Sequence, residues 1–524
     1  MKKFMQGMLL AVIVIALIGT MKGNTVLPDL TEGIENRFLD TEGAYQEGGV
    51  FVKIKNTSSR FDRLANSILG EENLFEAISI SSSKQIILPE VDSSLLSLDS
   101  AESYEWYYLE VDDGKTVEDV LLELGSMDSV VEAEPNYIYS PQVDGEYFEL
   151  ASEFLPSNFN GQYYLNTIDL NHARESLDAD GYNQYGDKDI IVAVIDSGID
   201  YTHIELAGSM WNNPGEIAND GIDNDANGYI DDYYGVDTVS GDGDPMDDNG
   251  HGTHVAGIIA ADATNGIGIE GIASNVRLMA IKAGNNSGFL TSADIVAGVN
   301  YAYENGADVI NMSFGSYSRS ILLEDALGVA FNQAVLIAAA GNDDKPNEDE
   351  KLIPGENFYP AAYPFVVGVM ASDQNNKLAA FSNFDFAPND GNEYEVVAPG
   401  VGIYSTLPNN KYAAWSGTSM SAPIVSGMAA LLKSKFNDEW NHSNRFIMGQ
   451  IIGTANDVVE IDAFTLELVS HESYSLINIS NAINNVAKPD LAFYEFYIFD
   501  SPSISDVNDG DGIIDSGETI HLGI

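Results

Sequence analysis

The sequence predicts an α/β protein built on a doubly wound parallel sheet, with a small α+β unit before it and the beginning of a β-unit after it. Three observations carry that reading. Between residues 190 and 370, short apolar and mostly β-branched runs alternate with helical stretches of small residues, the pattern of strands buried on both faces and joined by crossover helices. Ahead of that region, strand-like and amphipathic segments carry no cluster of catalytic residue types. Beyond residue 488 a fresh strand pattern begins.

The elements follow in order. Met1-Lys2-Lys3 precedes an apolar run from Met8 to Gly19, a basic start and a hydrophobic core too short for a membrane span. Residues 1–23 are therefore read as a secretory signal peptide, with an uncleaved anchor as the alternative. Val50–Lys55 and Glu105–Val111 read as strands and Phe61–Ile68 as a helix. Thr116–Leu124 sets Val117, Val120, Leu121 and Leu124 on one helical face. Val130–Tyr137 is a further strand. Residues 24–150 thus form an α+β unit, which on its own could be a freestanding domain. Ser140 to Phe159 is polar, with Pro141, Gly145 and Pro156, and reads as a junction.

The main domain is placed at residues 155–485, opening with Gln162–Ala173. Its strands are Ile191–Ile195, Val276–Ala283, Ala307–Ser313, Ala334–Ala340 and Phe365–Met370. Its helices are His251–Ala261, Ala293–Asn305, Glu324–Gln333 and Ser421–Lys435. Leu491–Phe499 starts another strand, and residues 488–524 read as the start of a truncated β-sandwich accessory domain, because the pattern stops mid-strand at Ile524.

Composition narrows the function. With 81 acidic against 23 basic residues the formal net charge is −58, which excludes nucleic acid and anionic membrane surfaces as partners. Cysteine is absent, so disulfides and thiol chemistry are excluded. A secreted chain without disulfides looks to bound calcium for stability. Asp223, Asp225, Asn227 and Asp231 fall at positions 1, 3, 5 and 9 of an EF-hand-type loop, with Gly228 at position 6. Position 12 is Tyr234, so a bidentate ligand must come from elsewhere, such as Asp232; a solvated acidic loop is the alternative. Asp506–Glu518 carries a second such pattern, with Asp506 standing in at its first position.

Three stretches carry chemistry. Ile191–Ile195 delivers Asp196 to the C-terminal end of a buried strand, the usual place for sites in open α/β sheets. Asn249-Gly250-His251-Gly252-Thr253-His254 opens a small-residue helix. Gly417-Thr418-Ser419-Met420-Ser421-Ala422-Pro423 opens another, placing Ser419 at free N–H groups and a positive dipole end. Pro423 is expected in the first turn, where a missing N–H is harmless. An Asp, a His and a Ser, each at an element end and flanked by Gly, form the set that a nucleophilic hydroxyl requires.

These stretches (VAVIDSGID, NGHGTHVAG and GTSMSAP), together with AAAGN in the same order, resemble the subtilisin-like serine peptidases over about residues 160–485. The resemblance implies that Asp196, His251 and Ser419 are the triad, with His254 structural. It implies that Asn342 and the Ser419 N–H stabilise an oxyanion, and that Ser313, Phe314, Gly315, Gly288 and Gly341 line the substrate cleft. Ser316 departs slightly from the pattern, where a second Gly is common. Val130–Tyr137 is similar to the last strand of that family's inhibitory propeptide, so the chain's own N-terminal unit is expected as an intramolecular inhibitor. Asn265–Gly271 resembles the family's calcium loop, with Glu205 and Asn265 as further ligands. Asp343 and Asp344, after Asn342, suggest an acidic pocket rim that favours basic or neutral residues before the cleaved bond.

The expected function is a secreted, calcium-stabilised serine endopeptidase made as a latent zymogen and acting on protein or peptide substrates, free of the membrane once the signal is cleaved. The alternative is a catalytically silent extracellular binding or adhesion protein on the same fold. A maturation protease with a single target is a third possibility.

Overall fold

The computed structural model describes residues 44–56, 80–88, 103–111, 114–125, 127, 130–150, 161–344, 357–385, 394–437, 443–460, 473–485 and 487. The expected signal peptide, the Phe61–Ile68 helix, the Leu491–Phe499 strand and the Asp506–Glu518 loop lie outside them.

The N-terminal unit is an antiparallel sheet of β1 (Tyr45–Asn56), β2 (Ile80–Ile86), β3 (Ser103–Val111) and β4 (Val130–Pro141), in the order β4-β1-β3-β2. Alternation along β1 puts Val50, Val52 and Ile54 on one face, against the Val117, Val120, Leu121 and Leu124 stripe of helix α1 (Val117–Gly125). The opposite face sends Phe51 and Trp106 into the core of the main domain. The unit therefore has a small core of its own and a second face that needs the main domain.

Strand β5 (Asp144–Leu150) comes next, where the sequence reads only a polar junction. The main domain then runs α2 (Tyr164–Thr167), α3 (Leu170–Ala179), β6 (Ile191–Asp196), β7 (Gly235–Asp237), α4 (His251–Ala260), β8 (Arg277–Lys282), β9 (Leu290–Thr291) and α5 (Ser292–Glu304). It continues with β10 (Val309–Met312), β11 (Phe314–Gly315), α6 (Ile321–Ala330), β12 (Val335–Ala339), β13 (Val367–Ser372), β14 (Val396–Pro399), β15 (Ile403–Leu407) and β16 (Lys411–Ser416). Helices α7 (Thr418–Lys435), α8 (Asn444–Gly453) and α9 (Ile479–Asn484) close it, with β17 (Asn456–Glu460) and β18 (Ser473–Leu476) between the last two.

The central sheet has the order β17-β18-β14-β13-β12-β10-β6-β8-β7. Every neighbouring pair is parallel except β17 with β18, so the doubly wound parallel sheet is as the sequence predicts. Both of its faces are buried. Val192 and Val194 of β6 pack with α4 and α7, while Ala193 and Ile195 face α5 on the other side. That is why the β6 run is apolar throughout rather than alternating.

Two helix starts differ from expectation. Helix α6 begins at Ile321, three residues early, because Ser320 caps it by accepting from the Leu323 N–H. Helix α7 begins at Thr418, so Pro423 lies inside it rather than in its first turn. The carbonyl that Pro423 leaves without an N–H, that of Ser419, instead accepts from Ser313 Oγ at 3.0 Å. The site lies where β6 ends: one flank continues to β8 and β7, the other to β10 and β12, and the strand order reverses there.

Candidate active site

Asp196 is the last residue of β6 and His251 the first of α4. His251 Nδ1 lies 2.7 Å from Asp196 Oδ1, with both side chains buried. An ionised carboxylate can only accept, so Nδ1 is the donor in this pair. Asp196 Oδ1 also accepts from the Ser197 N–H at 2.7 Å. Nε2 is buried and makes no hydrogen bond. The loop before the helix is organised by buried Asp247, which accepts from Ser197 Oγ, the Asn249, Gly250 and Thr253 N–H groups, and Thr253 Oγ1. His254 lies face to face with Trp415, centroids 4.5 Å apart. Burial pushes its imidazole down to about 3, which keeps it neutral and suits the structural place expected for it.

Ser419, second residue of α7, is buried. Its hydroxyl donates to the Ser313 carbonyl at 2.6 Å and accepts from the Gln142 N–H at 2.7 Å. The structure brings Asp196 and His251 into contact and leaves the Ser419 hydroxyl on Ser313 and Gln142 rather than on His251. The reason is local: a strand N–H and a strand carbonyl already occupy the hydroxyl.

The occupant is the end of β4. It lies between two short edges, pairing Ile138 with Thr291 and Tyr139 with Leu290 on β9, and Ser140 with Gly315 and Pro141 with Phe314 on β11. Gln142 continues the line, and its carbonyl accepts from the Ser419 N–H at 3.1 Å. Gly288 (φ +86°) abuts this strand; a Cβ there would lie 2.9 Å from Pro141 Cγ. Thus Ser313, Phe314, Gly315 and Gly288 line the strand as expected, while Gly341 sits behind it, donating to Thr418 Oγ1 at 3.2 Å.

Asn342 is held by its oxygen, which accepts from both the N–H and the hydroxyl of Thr418 at 2.9 Å. That fixes the amide so that Nδ2 points away from Thr418, and Nδ2 is buried without a partner. A Cβ on Gly417 (φ +147°) would overlap the Gln142 carbonyl oxygen while lying 3.1 Å from Nδ2. The two groups therefore border the same small space, which glycine keeps open. Gln142, Thr418 and Asp247 were not found from the sequence. Asp247 alone left a signal there, an Asx residue shortly before a helix start.

The acidic loop is arranged differently from the expected ligand set. Glu216, Asp225 and Asp232 bring one carboxylate oxygen each within 4.8 Å of one another. Asp232 is fully buried, and Glu216 Oε2 is buried without a partner. Asp223 instead accepts from the Asn227 and Gly228 N–H groups. Asp231, at φ +57°, folds back onto the Asp220 and Gly221 N–H groups, and Asn227 Nδ2 donates to Asp232 at 2.8 Å. Of the four loop positions expected, only Asp225 joins the cluster, together with Asp232, the residue named to supply the missing ligand. Asn213 Nδ2 also donates to Asp225 and Asp232, and Tyr301 Oη to Asp232. The fit to a hard divalent cation therefore rests on the unpartnered Glu216 Oε2 beside two further carboxylates that make no ion pair among the described residues.

Glu205 and Asn265 do meet, but as a filled hydrogen-bond network. Glu205 accepts from Asn265 Nδ2, the Ile269 N–H and Tyr412 Oη at 2.9, 3.1 and 2.8 Å, and burial holds its carboxyl above the ordinary value. Asn265 Oδ1 accepts from the Ile267 N–H at 2.9 Å. As arranged, this set does not fit a calcium ion.

Residues 187–470 match the family model described as the subtilase family. The chain is 36% identical over 321 residues to the thermophilic serine proteinase of Bacillus sp. (strain AK1), covering 61% of this chain and 67% of that protein. It is 45% identical over 203 residues to subtilisin DY of Bacillus licheniformis, 38% of this chain and 70% of that one. Against thermitase of Thermoactinomyces vulgaris the identity is 36% over 247 residues, 47% and 75% of the two chains. With its central sheet and matching motifs, the chain belongs to the subtilase family and is a serine-type endopeptidase.

Proposed function

We propose that the chain is a secreted zymogen whose first substrate is its own Gln142–Val143 bond, cut by Asp196, His251 and Ser419. The supporting observation is the seat of Gln142: its carbonyl oxygen accepts from the Ser419 N–H at 3.1 Å, and Ser419 Oγ is 2.7 Å from its nitrogen. In this reading a rotation of the Ser419 side chain moves Oγ from the Ser313 carbonyl to the Gln142 carbon. His251 Nε2 takes the hydroxyl proton while the C–O bond forms, and Asp196 stabilises the imidazolium. The oxyanion is met by the Ser419 N–H and Asn342 Nδ2. Collapse of the tetrahedral species breaks the C–N bond, and His251 returns the proton to the Val143 amine. Water then releases Gln142 from the acyl-enzyme.

The domain reading follows. Residues 1–23 serve as signal peptide, residues 24–142 as propeptide, and the enzyme extends to about residue 485, with an accessory unit starting after it. The propeptide boundary, expected at residue 150, lies at Gln142 in this reading. Glu134 and Trp106 anchor the propeptide on α6. Among the described residues no helix is long and apolar enough to cross a membrane. Calcium, held by Glu216, Asp225 and Asp232, would stabilise the loop between β6 and β7. Gln142 before the cleaved bond agrees with a pocket rim bearing exposed Asp343 and Asp344 that disfavours acidic residues.

The test is incubation of the purified full-length chain with calcium, read by intact mass and casein hydrolysis beside Ser419→Ala. Loss of a fragment ending at Gln142 with gain of activity, both absent in the variant, supports the reading. Wild type that stays whole and silent, or cleavage that persists in the variant, overturns it.

A further inference from the structure

The chain does not leave the site at Val143. Strand β5 runs on from it and pairs antiparallel with β16, matching Asp144 to Ser416, Phe148 to Ala414, Glu149 to Ala413 and Leu150 to Tyr412, with an irregularity between Ala414 and Ser416. Counted from the Gln142–Val143 bond, Asp144 is the second residue on the leaving side and Leu150 the eighth.

The strand that receives it is firmly held. β16 pairs with β15 over five consecutive residues, from Ile403–Trp415 to Leu407–Lys411. Tyr412 and Ala413 are buried. β15 is fastened to α4, since Ser405 Oγ donates to the His254 carbonyl at 2.5 Å and Thr406 Oγ1 to the Thr253 carbonyl at 2.7 Å. The same helix carries His251 at its start. The open edge of β16 is therefore a fixed row of backbone donors and acceptors in register with the catalytic groups, and within the chain its occupant is the stretch just past the bond at Ser419.

Resting on the reading of Gln142–Val143 as the first substrate, we propose that β16 is a strand-addition site for peptide substrates, engaging the leaving side out to the eighth residue. The pairs from Ala414 to Tyr412, not the one beside the nucleophile, carry this extension. Backbone pairing is indifferent to side-chain identity. The site therefore favours long, extended segments over short ones, and unfolded protein over peptides that end soon after the cut.

The experiment uses processed enzyme and quenched fluorogenic peptides. Each carries Ile-Tyr-Ser-Pro-Gln before the cut, the sequence of residues 138–142, followed by two, four, six, eight or ten residues. We expect kcat/KM to climb roughly tenfold between two and eight residues, the worth of about two net backbone hydrogen bonds, and to level off after eight. In the eight-residue peptide, single N-methylation at positions five to eight should lower kcat/KM at every other position, because alternate N–H groups face the partner strand. A flat length series, or N-methylation equally harmless at every position, overturns the proposal. Cleavage of the two-residue peptide, absent in Ser419→Ala, tests the underlying peptidase reading separately.

Discussion

Glu134 offers the sharpest test of how the N-terminal unit is held. It lies on β4, fully buried, with its carboxylate accepting from Ser320 Oγ at 2.6 Å, the Ile321 N–H at 2.7 Å and the Leu322 N–H at 3.4 Å, at the start of α6. Those donors favour the ionised form, but burial outweighs them and Asp325 adds repulsion. The carboxyl is pushed up to about 7 from its ordinary 4.5. Released into water, the group returns to that ordinary value. Because the bound value is the higher one, the contact has its full strength below about 4.5 and weakens as pH rises to about 7. The gap corresponds to about 3 kcal/mol, or roughly a hundredfold in affinity. Cleaved propeptide should therefore bind processed enzyme, blocked at Ser419, roughly a hundredfold more weakly at pH 8 than at pH 4.5. Fluorescence of Trp106, whose indole donates to Asp325 at 2.8 Å, reports binding without relying on catalysis. Glu134→Gln should flatten the profile, leaving the slope from Asp294, whose carboxyl burial pushes up to about 6 beside β9. An unchanged slope in Glu134→Gln, or tighter binding at pH 8, would refute the reasoning.

Three further outcomes are expected. Chelation should lower the melting temperature of the processed enzyme by roughly 5–10 °C, as for a cation bound far above its dissociation constant, and Asp232→Asn should erase that difference in a calorimeter. Ser313→Ala removes the donor to the Ser419 carbonyl that Pro423 leaves open and should cost about 1–3 kcal/mol in denaturant unfolding, with kcat falling more than KM changes. Gly288→Ala forces a Cβ to 2.9 Å from Pro141 Cγ at φ +86° and should raise the Ki of the propeptide about tenfold or more, read by inhibition kinetics; an unchanged Ki would mean that the strand does not lie against Gly288 in solution.

The central sheet was legible because its strands are buried on both faces, so Ile191–Ile195 and Ala334–Ala340 read as unbroken apolar runs. Asp196, His251 and Ser419 were legible because each ends or begins such an element beside glycine. What escaped is what tertiary pairing imposes. The stretch DGEYFEL at Asp144–Leu150 has no strand signal of its own and is extended because β16 offers it an edge. Glu216 lies seven residues before Asp223, outside any loop template, and reaches Asp225 only after the chain turns back. Asp231 sits at the right spacing for a ligand, but its positive φ turns the carboxylate elsewhere. The Glu205 network was missed for the opposite reason: the resemblance to the family's calcium loop implied a metal, while Tyr412, far along the chain, supplies a donor.

Residues 138–150 touch two separate receptors, the β9–β11 slot before Gln142 and the β16 edge after Val143, joined by one peptide bond. In binding terms the segment is a bivalent ligand with the shortest possible linker, and each half raises the effective concentration of the other. Hydrolysis of that bond, as proposed, would end the avidity at once. In that event the upstream half would remain part of a folded unit anchored at Glu134 and Trp106, and the downstream half would rely on its own backbone pairs with β16. A cut at that bond would thus turn one two-footed ligand into two separate ones, the upstream half still shielding the nucleophile while the β16 edge becomes open to exchange with an incoming strand.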